Sequence, residues 1–246
     1  MRGRSMQADQ CVAHRGYRHL YPENTLLGHQ QAVAAGALFV ETDIQMSADG
    51  IPVLYHDMEM IRLSGCQQSL EEVDAKELKT FSVHEPERFG ERFREEKVAT
   101  LEAFAQWLAT VPAVTAYIEI KPECRQRFGL NAVSQILNQL RQVFPQIVII
   151  SFDVDAVGLA RHLGAPRVGV VLNSWEMLQA AVLRQIQPDV IFCDQYLVPA
   201  DAPLTEYATP FVIYEVSDLP TAQYWIKRGA YQIETYNIGA MLGQGD

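Results

Sequence analysis

The chain has 246 residues, of which 48% are hydrophobic and 20% are charged, and its formal net charge is −10. This composition is that of a globular protein long enough to bury a core without disulfide bonds. The acidic balance argues against nucleic acid as a partner, because nucleic acid is bound by a cationic surface. It also argues against stable membrane insertion or a polybasic membrane contact.

The N-terminal residues, the apolar runs and the cysteines bear on the cellular compartment of the protein. Residues 1–10 carry positive charge, but no apolar segment follows them, so we predict no signal peptide. No run of 18 apolar residues occurs, so we predict no transmembrane helix. Cys11, Cys66, Cys124 and Cys193 are far apart and lack CxxC spacing. We expect reduced thiols and a cytoplasmic location, with one disulfide pair as the alternative.

Short apolar runs alternate with segments of helical periodicity along the whole chain. The predicted strands are residues 11–13, 38–42, 115–120, 147–151, 168–172, 190–193, 211–215 and 231–234. Helical spacing of apolar residues is clear in 130–144, 177–186 and 219–227. We expect Asp153, Ser174 and Asp218 to be helix N-caps. This alternation predicts an α/β fold, a (β/α)8 TIM barrel forming one domain over residues 1–246. The alternative is an open doubly wound sheet.

The segment after the second strand does not fit a minimal barrel. Asp49-Gly50 is a strong turn signal, so residues 52–55 are expected to return as an antiparallel strand. This β-hairpin would carry His56 back to the level of Glu41. Residues 57–100 are predicted to form a small insertion. Its charged run 84–97 is interpreted as a solvated flank, with a binding patch as the alternative. The position of the segment suggests an excursion near the mouth of the site that could act as a partial lid.

Polar side chains follow several of the predicted strands. The carboxyl ends of barrel strands meet at one rim, where active sites of this fold lie. Side chains two apart on a strand share a face, so Glu41 lies beside Asp43 and Glu119 beside Lys121. The residues expected at this rim are His14, Arg15, Glu41, Asp43, His56, Glu119 and Lys121.

These side-chain types together favour one chemistry. Three carboxylates suit a hard divalent cation, Mg²⁺ or Ca²⁺. His14 and His56 suit general acid and base roles, and Arg15 and Lys121 complement phosphate oxygens. Each motif alone is more often ordinary surface polarity, but their occurrence at four strand ends predicts metal-assisted phosphodiester cleavage. The other histidines, His19, His29, His84 and His162, are interpreted as structural or surface residues.

The sequence resembles the glycerophosphodiester phosphodiesterase family over essentially its whole length. The specific motifs are His14-Arg15-Gly16, Pro22-Glu23-Asn24-Thr25, Glu41-Thr42-Asp43, the stretch from Asp49-Gly50 to His56-Asp57, and Glu119-Ile120-Lys121. Weaker similarities lie at residues 97–102 and at Ser151-Phe152. The resemblance implies a TIM barrel with a small insertion and a divalent metal at its rim.

The resemblance also implies a role for each site residue. The substrate would be a small-molecule glycerophosphodiester, cleaved to glycerol 3-phosphate and an alcohol. Of the two histidines, His14 would accept a proton and His56 would donate one, although the opposite order stays open. The implied metal ligands are Glu41, Asp43 and Glu119, and the implied substrate-binding residues are Arg15, Lys121, Phe152 and Tyr214.

Two strand ends depart from the family pattern. The seventh barrel strand ends in Tyr214-Glu215-Val216-Ser217, where the family has a tryptophan-threonine-valine-asparagine run. The last ends in Glu234-Thr235, where the family has threonine-aspartate. Tyr214 keeps an aromatic wall. A Glu215 carboxylate facing the pocket would favour cationic head groups such as choline or ethanolamine.

Three other functions are compatible with parts of this pattern. A phospholipase D-like enzyme could use the same barrel on sphingomyelin or lysophospholipids. A non-catalytic barrel could bind phosphate, although binding alone requires no pair of histidines. An aldolase-type barrel could use Lys121 as a Schiff base, but neighbouring carboxylates would keep that amine protonated.

Overall fold

The computed structural model describes residues 5–244, and a closed barrel of eight parallel strands forms its centre. The barrel order is β1-β2-β4-β5-β6-β7-β8-β9, and pairing of β9 with β1 closes it. The predicted TIM barrel is therefore confirmed. The strands are β1 Cys11–Ala13, β2 Phe39–Met46, β3 Pro52–Leu54, β4 Thr115–Ile120, β5 Ile147–Ser151, β6 Val168–Val171, β7 Val190–Asp194, β8 Phe211–Tyr214 and β9 Gln232–Thr235.

The hairpin after the second strand is also present. β3 pairs antiparallel with the end of β2, with Ile44 opposite Leu54. Gly50 turns the chain with φ of 77°, a conformation that glycine adopts without steric cost. The Tyr55 amide then donates to the Asp43 carbonyl at 3.1 Å. β2 therefore runs four residues beyond its predicted end, because its C-terminal half belongs to the hairpin.

Helices connect the strands and cover the barrel. Asp153 and Asp218 cap two of them, Val154–His162 and Leu219–Lys227, with their side chains, as predicted. The second of these helices has its predicted bounds. The α-helices are α1 Leu26–Ala34, α2 Ile61–Ser64, α3 Ala75–Leu78, α4 Pro86–Phe89, α5 Leu101–Leu108, α6 Pro122–Phe128, α7 Leu130–Leu140, α8 Val154–His162, α9 Ala181–Ile186, α10 Leu219–Lys227 and α11 Ile238–Met241. Among residues 5–244, none of these combines the length and apolar character needed to cross a bilayer.

The continuous helix predicted over residues 177–186 is wrong. A 3₁₀ helix, Trp175–Gln179, is followed by an extended Ala180 and then by α9. Apolar residues on both pieces still pack against the barrel core, so the spacing that predicted one helix is satisfied by two. Ser174 precedes the 3₁₀ helix but forms no side-chain cap hydrogen bond. The helix predicted to reach residue 144 likewise ends at Leu140 and continues as a 3₁₀ helix, Arg141–Gln146.

Residues 57–100 leave the barrel sheet and form a separate apolar cluster together with Val53 and Tyr55. Met60, Leu70 and Leu78 are fully buried in it. The charged run 84–97 is mostly exposed, but its first part is anchored to the loop after β1. Glu85 accepts a hydrogen bond from the Glu23 amide at 2.7 Å.

His29 is a core histidine on α1 and provides a test of the fold. Its ring is fully buried and lies 5.0 Å from the Phe104 ring, and neither nitrogen has a hydrogen-bond partner among residues 5–244. Burial lowers its pKa to about 3. Because the unfolded chain binds this proton more readily, the stability contribution is complete above about pH 6.5 and is lost as the pH falls toward 3.

We expect His29→Leu to flatten the acid limb of the stability curve. Between pH 6 and pH 4 the wild type should lose about 1.4 kcal/mol per pH unit more unfolding free energy than the variant. Urea unfolding at a series of pH values measures this difference. The exposed His162→Gln control should follow the wild type, and parallel curves for the wild type and His29→Leu would contradict the prediction.

Candidate active site

The residues predicted at the strand ends meet at the carboxyl-terminal rim of the barrel. A pocket of about 180 Å³ opens there. Glu41 and Asp43 lie at the buried base of this site, each with 1% of its surface exposed. The other seven predicted site residues line the pocket: His14, Arg15, His56, Glu119, Lys121, Phe152 and Tyr214.

Strand register brings three carboxylates together. β2 and β4 pair in parallel with Asp43 opposite Glu119, and Glu41 lies two residues earlier on the same face of β2. One carboxylate oxygen from each of Glu41, Asp43 and Glu119 lies within 4.8 Å of the others. This is the spacing of oxygen ligands around one cation.

The loop after β1 holds this cluster in place. The Arg15 amide donates to Glu41 Oε2 at 3.1 Å. Asn24 Nδ2 donates to Asp43 Oδ2 at 2.9 Å, while Asn24 Oδ1 accepts hydrogen bonds from the Asp43 amide and from Thr42 Oγ1. Two acidic side chains are thus fixed by a loop about 20 residues earlier in the chain.

Two cationic side chains contact the acidic cluster. Arg15 Nε lies 3.0 Å from Asp43 Oδ2, and Lys121 Nζ lies 2.9 Å from Glu119 Oε1 and 3.5 Å from Asp43 Oδ1. Burial opposes the charge on Lys121, but Asp43 and Glu119 outweigh it and raise the pKa of this amine. A protonated Lys121 does not suit a Schiff-base nucleophile.

The acidic cluster carries more negative charge than its neighbours balance. Burial and then the Asp43 carboxylate raise the pKa values of Glu41 and Glu119. Burial would also raise the pKa of Asp43, but Arg15 and Lys121 hold it below its usual range. Glu41 Oε1 is buried and has no hydrogen-bond partner among the residues that the structure describes. An all-oxygen donor set with excess negative charge fits a hard divalent cation such as Mg²⁺ or Ca²⁺.

His56 is oriented by a chain of charged residues. Its Nδ1 lies 2.6 Å from Asp57 Oδ1, and Asp57 Oδ2 accepts from Arg62 Nε at 2.7 Å. Arg62 also donates to both oxygens of Glu23. With Nδ1 held by Asp57, the Nε2 atom of His56 is the nitrogen left for proton transfer.

His14 lies among carboxylates. Its Nδ1 is 3.3 Å from Glu215 Oε1, and its Nε2 is 3.8 Å from Glu41 Oε2 and 3.9 Å from Glu234 Oε2. Burial, together with the adjacent Arg15 guanidinium, lowers the pKa of His14 well below its usual value.

Several residues of the site had no role in the sequence-based prediction. Glu23 forms ion pairs with Arg15, Arg18 and Arg62. Burial would raise the pKa of Glu23, but these guanidinium groups lower it to about 2. The motif Pro22-Glu23-Asn24-Thr25 marked this loop, although not its contacts. Glu234 is 3% exposed and lines the pocket. Its departure from the family pattern was the one sequence signal that marked this residue.

The fold and the site together define a TIM barrel with an acidic cluster and two histidines at its active-site rim. The profile of the glycerophosphoryl diester phosphodiesterase family matches residues 14–208. The chain belongs to this family.

Individual proteins agree with this assignment. Human glycerophosphodiester phosphodiesterase 1 is 32% identical over 148 residues, which is 60% of this chain and 44% of the relative. The chain thus spans less than half the length of the mammalian relatives it matches. The YqiK protein of Bacillus subtilis is 26% identical over 170 residues, 68% of each chain.

Solved structures share the fold. A phosphodiesterase of Oleispira antarctica, in complex with its product sn-glycerol-3-phosphate, superposes with a TM-score of 0.86 at 21% identity and covers 96% of both chains. A glycerophosphodiester phosphodiesterase of Thermotoga maritima superposes with a TM-score of 0.72 at 20% identity, covering 98% of this chain and all of the other.

Proposed function

We propose that this protein hydrolyses small-molecule glycerophosphodiesters to glycerol 3-phosphate and an alcohol, with the help of a divalent cation. The observation that carries the proposal is the convergence of three carboxylates and two histidines on one pocket, in a chain of the glycerophosphoryl diester phosphodiesterase family. A site that only bound phosphate would need no pair of histidines. We also propose that the protein is cytoplasmic.

Glu41, Asp43 and Glu119 would hold the cation, Mg²⁺ or Ca²⁺. When bound, such an ion supplies positive charge that stabilises the charge developing on the phosphate oxygens. Asn24 and the Arg15 amide fix Asp43 and Glu41 by hydrogen bonds, so these two carboxylates would be preorganised as ligands.

The two histidines would divide the proton transfers. Asp57 lies against Nδ1 of His56 and would orient the ring so that Nε2 faces the reaction, which suits donation of a proton to the departing alcohol oxygen. His14 would then accept the proton of the attacking nucleophile. That nucleophile is either water or the neighbouring glycerol hydroxyl, which would form a cyclic phosphate.

Arg15 and Lys121 would bind the phosphate. Arg15 has five N–H donors, more than its two carboxylate contacts use. Phe152 and Tyr214 would form the walls against which the glycerol or head group packs. Lys121 Nζ lies 6.0 Å from the centre of the Phe152 ring, so the phosphate and the apolar part of the substrate would bind side by side.

Glu215 would favour cationic head groups. Its carboxylate lines the pocket, with its side chain 41% exposed. Its ion-pair contacts are His14 Nδ1 at 3.3 Å, whose pKa burial lowers, and Arg18 Nη1 at 3.8 Å. We expect a higher kcat/KM for glycerophosphocholine than for glycerophosphoinositol. Glu215→Gln should lower this ratio about threefold, the effect of a partly exposed charge pair. Faster inositol cleavage, or an unchanged ratio in the variant, would contradict the proposal. Asp155→Asn, a rim acid outside the pocket, is the matched control.

A substrate panel tests the function itself. Metal-stripped protein is incubated with several glycerophosphodiesters, with a lysophospholipid and with sphingomyelin, first with EDTA and then with Mg²⁺ or Ca²⁺. We expect release of glycerol 3-phosphate only from the glycerophosphodiesters, and only with metal. Cleavage confined to the lipids would support the phospholipase-like alternative. Phosphate binding without turnover under any condition would support the non-catalytic one.

A further inference from the structure

A second group of ligand-type atoms lies beside the acidic cluster. It consists of His14, Glu41 and Glu234, which each offer an atom within 4.8 Å of the others. His14 Nε2 is 3.8 Å from Glu41 Oε2 and 3.9 Å from Glu234 Oε2. These separations are too long for hydrogen bonds. Two ligands of one ion at about 2.1 Å lie no more than about 4.2 Å apart, so both separations fit a shared ion.

The group has few partners: the Arg15 amide donates to Glu41 Oε2, and Glu215 Oε1 lies 3.3 Å from His14 Nδ1. All three residues are at least nine-tenths buried. Glu41 Oε1 and Glu234 Oε1 have no hydrogen-bond partner in the described part of the chain. The nearby cationic side chains are engaged elsewhere, because Arg15 pairs with Glu23 and Asp43, and Lys121 with Glu119 and Asp43. A buried carboxylate without a partner is costly unless a cation binds it.

We propose that His14, Glu41 and Glu234 form a second divalent-cation site, which shares Glu41 with the first. One imidazole nitrogen and two carboxylates form a mixed donor set, and this set suits Zn²⁺ better than Mg²⁺ or Ca²⁺. Glu234 departs from the family pattern, so the site is a feature of this sequence. The pairing of β9 with β1 brings Glu234 near His14, because Glu234 lies opposite Val12 and Val12 is two residues before His14.

Occupation of this site would regulate the enzyme. A cation held by His14 Nε2 uses the lone pair with which His14 would accept a proton, so the second cation is inhibitory. This consequence rests on the proposed function, whereas the existence of the site does not. Zn²⁺ in excess should therefore depress the turnover that Mg²⁺ supports.

Calorimetric titration of the metal-free protein with Zn²⁺ tests the site directly. We expect the wild type to bind two ions and Glu234→Gln to bind one, or to bind the second at least about tenfold more weakly. Glu215→Gln is the matched control, because Glu215 also approaches His14 but lies outside the group, and it should bind two. Glu234→Thr, checked for folding by circular dichroism, serves as a second variant and should behave as Glu234→Gln does.

One ion in the wild type, or two ions of unchanged affinity in the folded Glu234 variants, would overturn the proposal. The same proteins assayed with Mg²⁺ alone separate this outcome from a failure of the proposed function. Hydrolysis by a wild type that binds only one Zn²⁺ would reject the second site and keep the activity. Two bound ions without hydrolysis would do the reverse.

Discussion

Asp43→Asn should lower kcat for glycerophosphodiester hydrolysis by about 1,000-fold or more. Asp43 is the most strongly charge-paired member of the acidic cluster, in contact with both Arg15 and Lys121. The substitution keeps the shape but removes one anionic ligand. A catalytic divalent cation contributes several kcal/mol of charge stabilisation, and each loss of about 1.4 kcal/mol is a tenfold loss of rate.

The measurement is the initial rate of glycerol 3-phosphate release at saturating Mg²⁺. Asp155→Asn is a suitable control, because Asp155 is an exposed carboxylate on the same rim, with 70% of its side chain accessible. Its rate should equal that of the wild type. A loss of less than tenfold in Asp43→Asn would mean that this carboxylate does not hold a catalytic ion.

His56→Ala and His14→Ala should each lower the rate by at least about 100-fold, the usual contribution of a general acid or base. Asp57→Asn should have a smaller effect, because it removes the negative charge 2.6 Å from Nδ1 of His56 but leaves a hydrogen-bonding side chain and the imidazole ring in place. The steady-state kcat of each variant is compared with that of the wild type.

His19→Ala is the control for these histidine variants. His19 is exposed on the loop after β1, close in sequence to His14, but it does not line the active-site pocket. We expect its rate to be unchanged. A loss of less than tenfold in either His14→Ala or His56→Ala would remove that residue from its assigned role.

The geometry of the cluster could be predicted because local rules govern it. The two-residue period of a strand places Glu41 beside Asp43 and Glu119 beside Lys121, and the Asp49-Gly50 turn returns the chain to His56. The meeting of strand ends at one rim follows from the barrel itself. These three rules were sufficient to bring seven of the nine predicted residues to one rim, whereas Phe152 and Tyr214 were predicted only from the resemblance to the family.

What the sequence could not predict depends on long-range contacts. Glu234 reaches His14 only because the barrel closes between β9 and β1, a pairing that joins residues more than 200 positions apart. Arg62 reaches Glu23 across 39 residues, and no local pattern marks that pair. The break at Ala180 was missed for a different reason, since apolar spacing alone does not separate an α-helix from a 3₁₀ helix followed by a short α-helix.

The central claim is that three carboxylates distant in sequence hold one dication between two imidazoles. Crystals grown with Mn²⁺ and measured for anomalous scattering test it most directly. We expect the strongest peak within about 2.0–2.6 Å of one oxygen each from Glu41, Asp43 and Glu119. No peak at that position, or a map in which Glu119 points away from Glu41 and Asp43, would contradict the account.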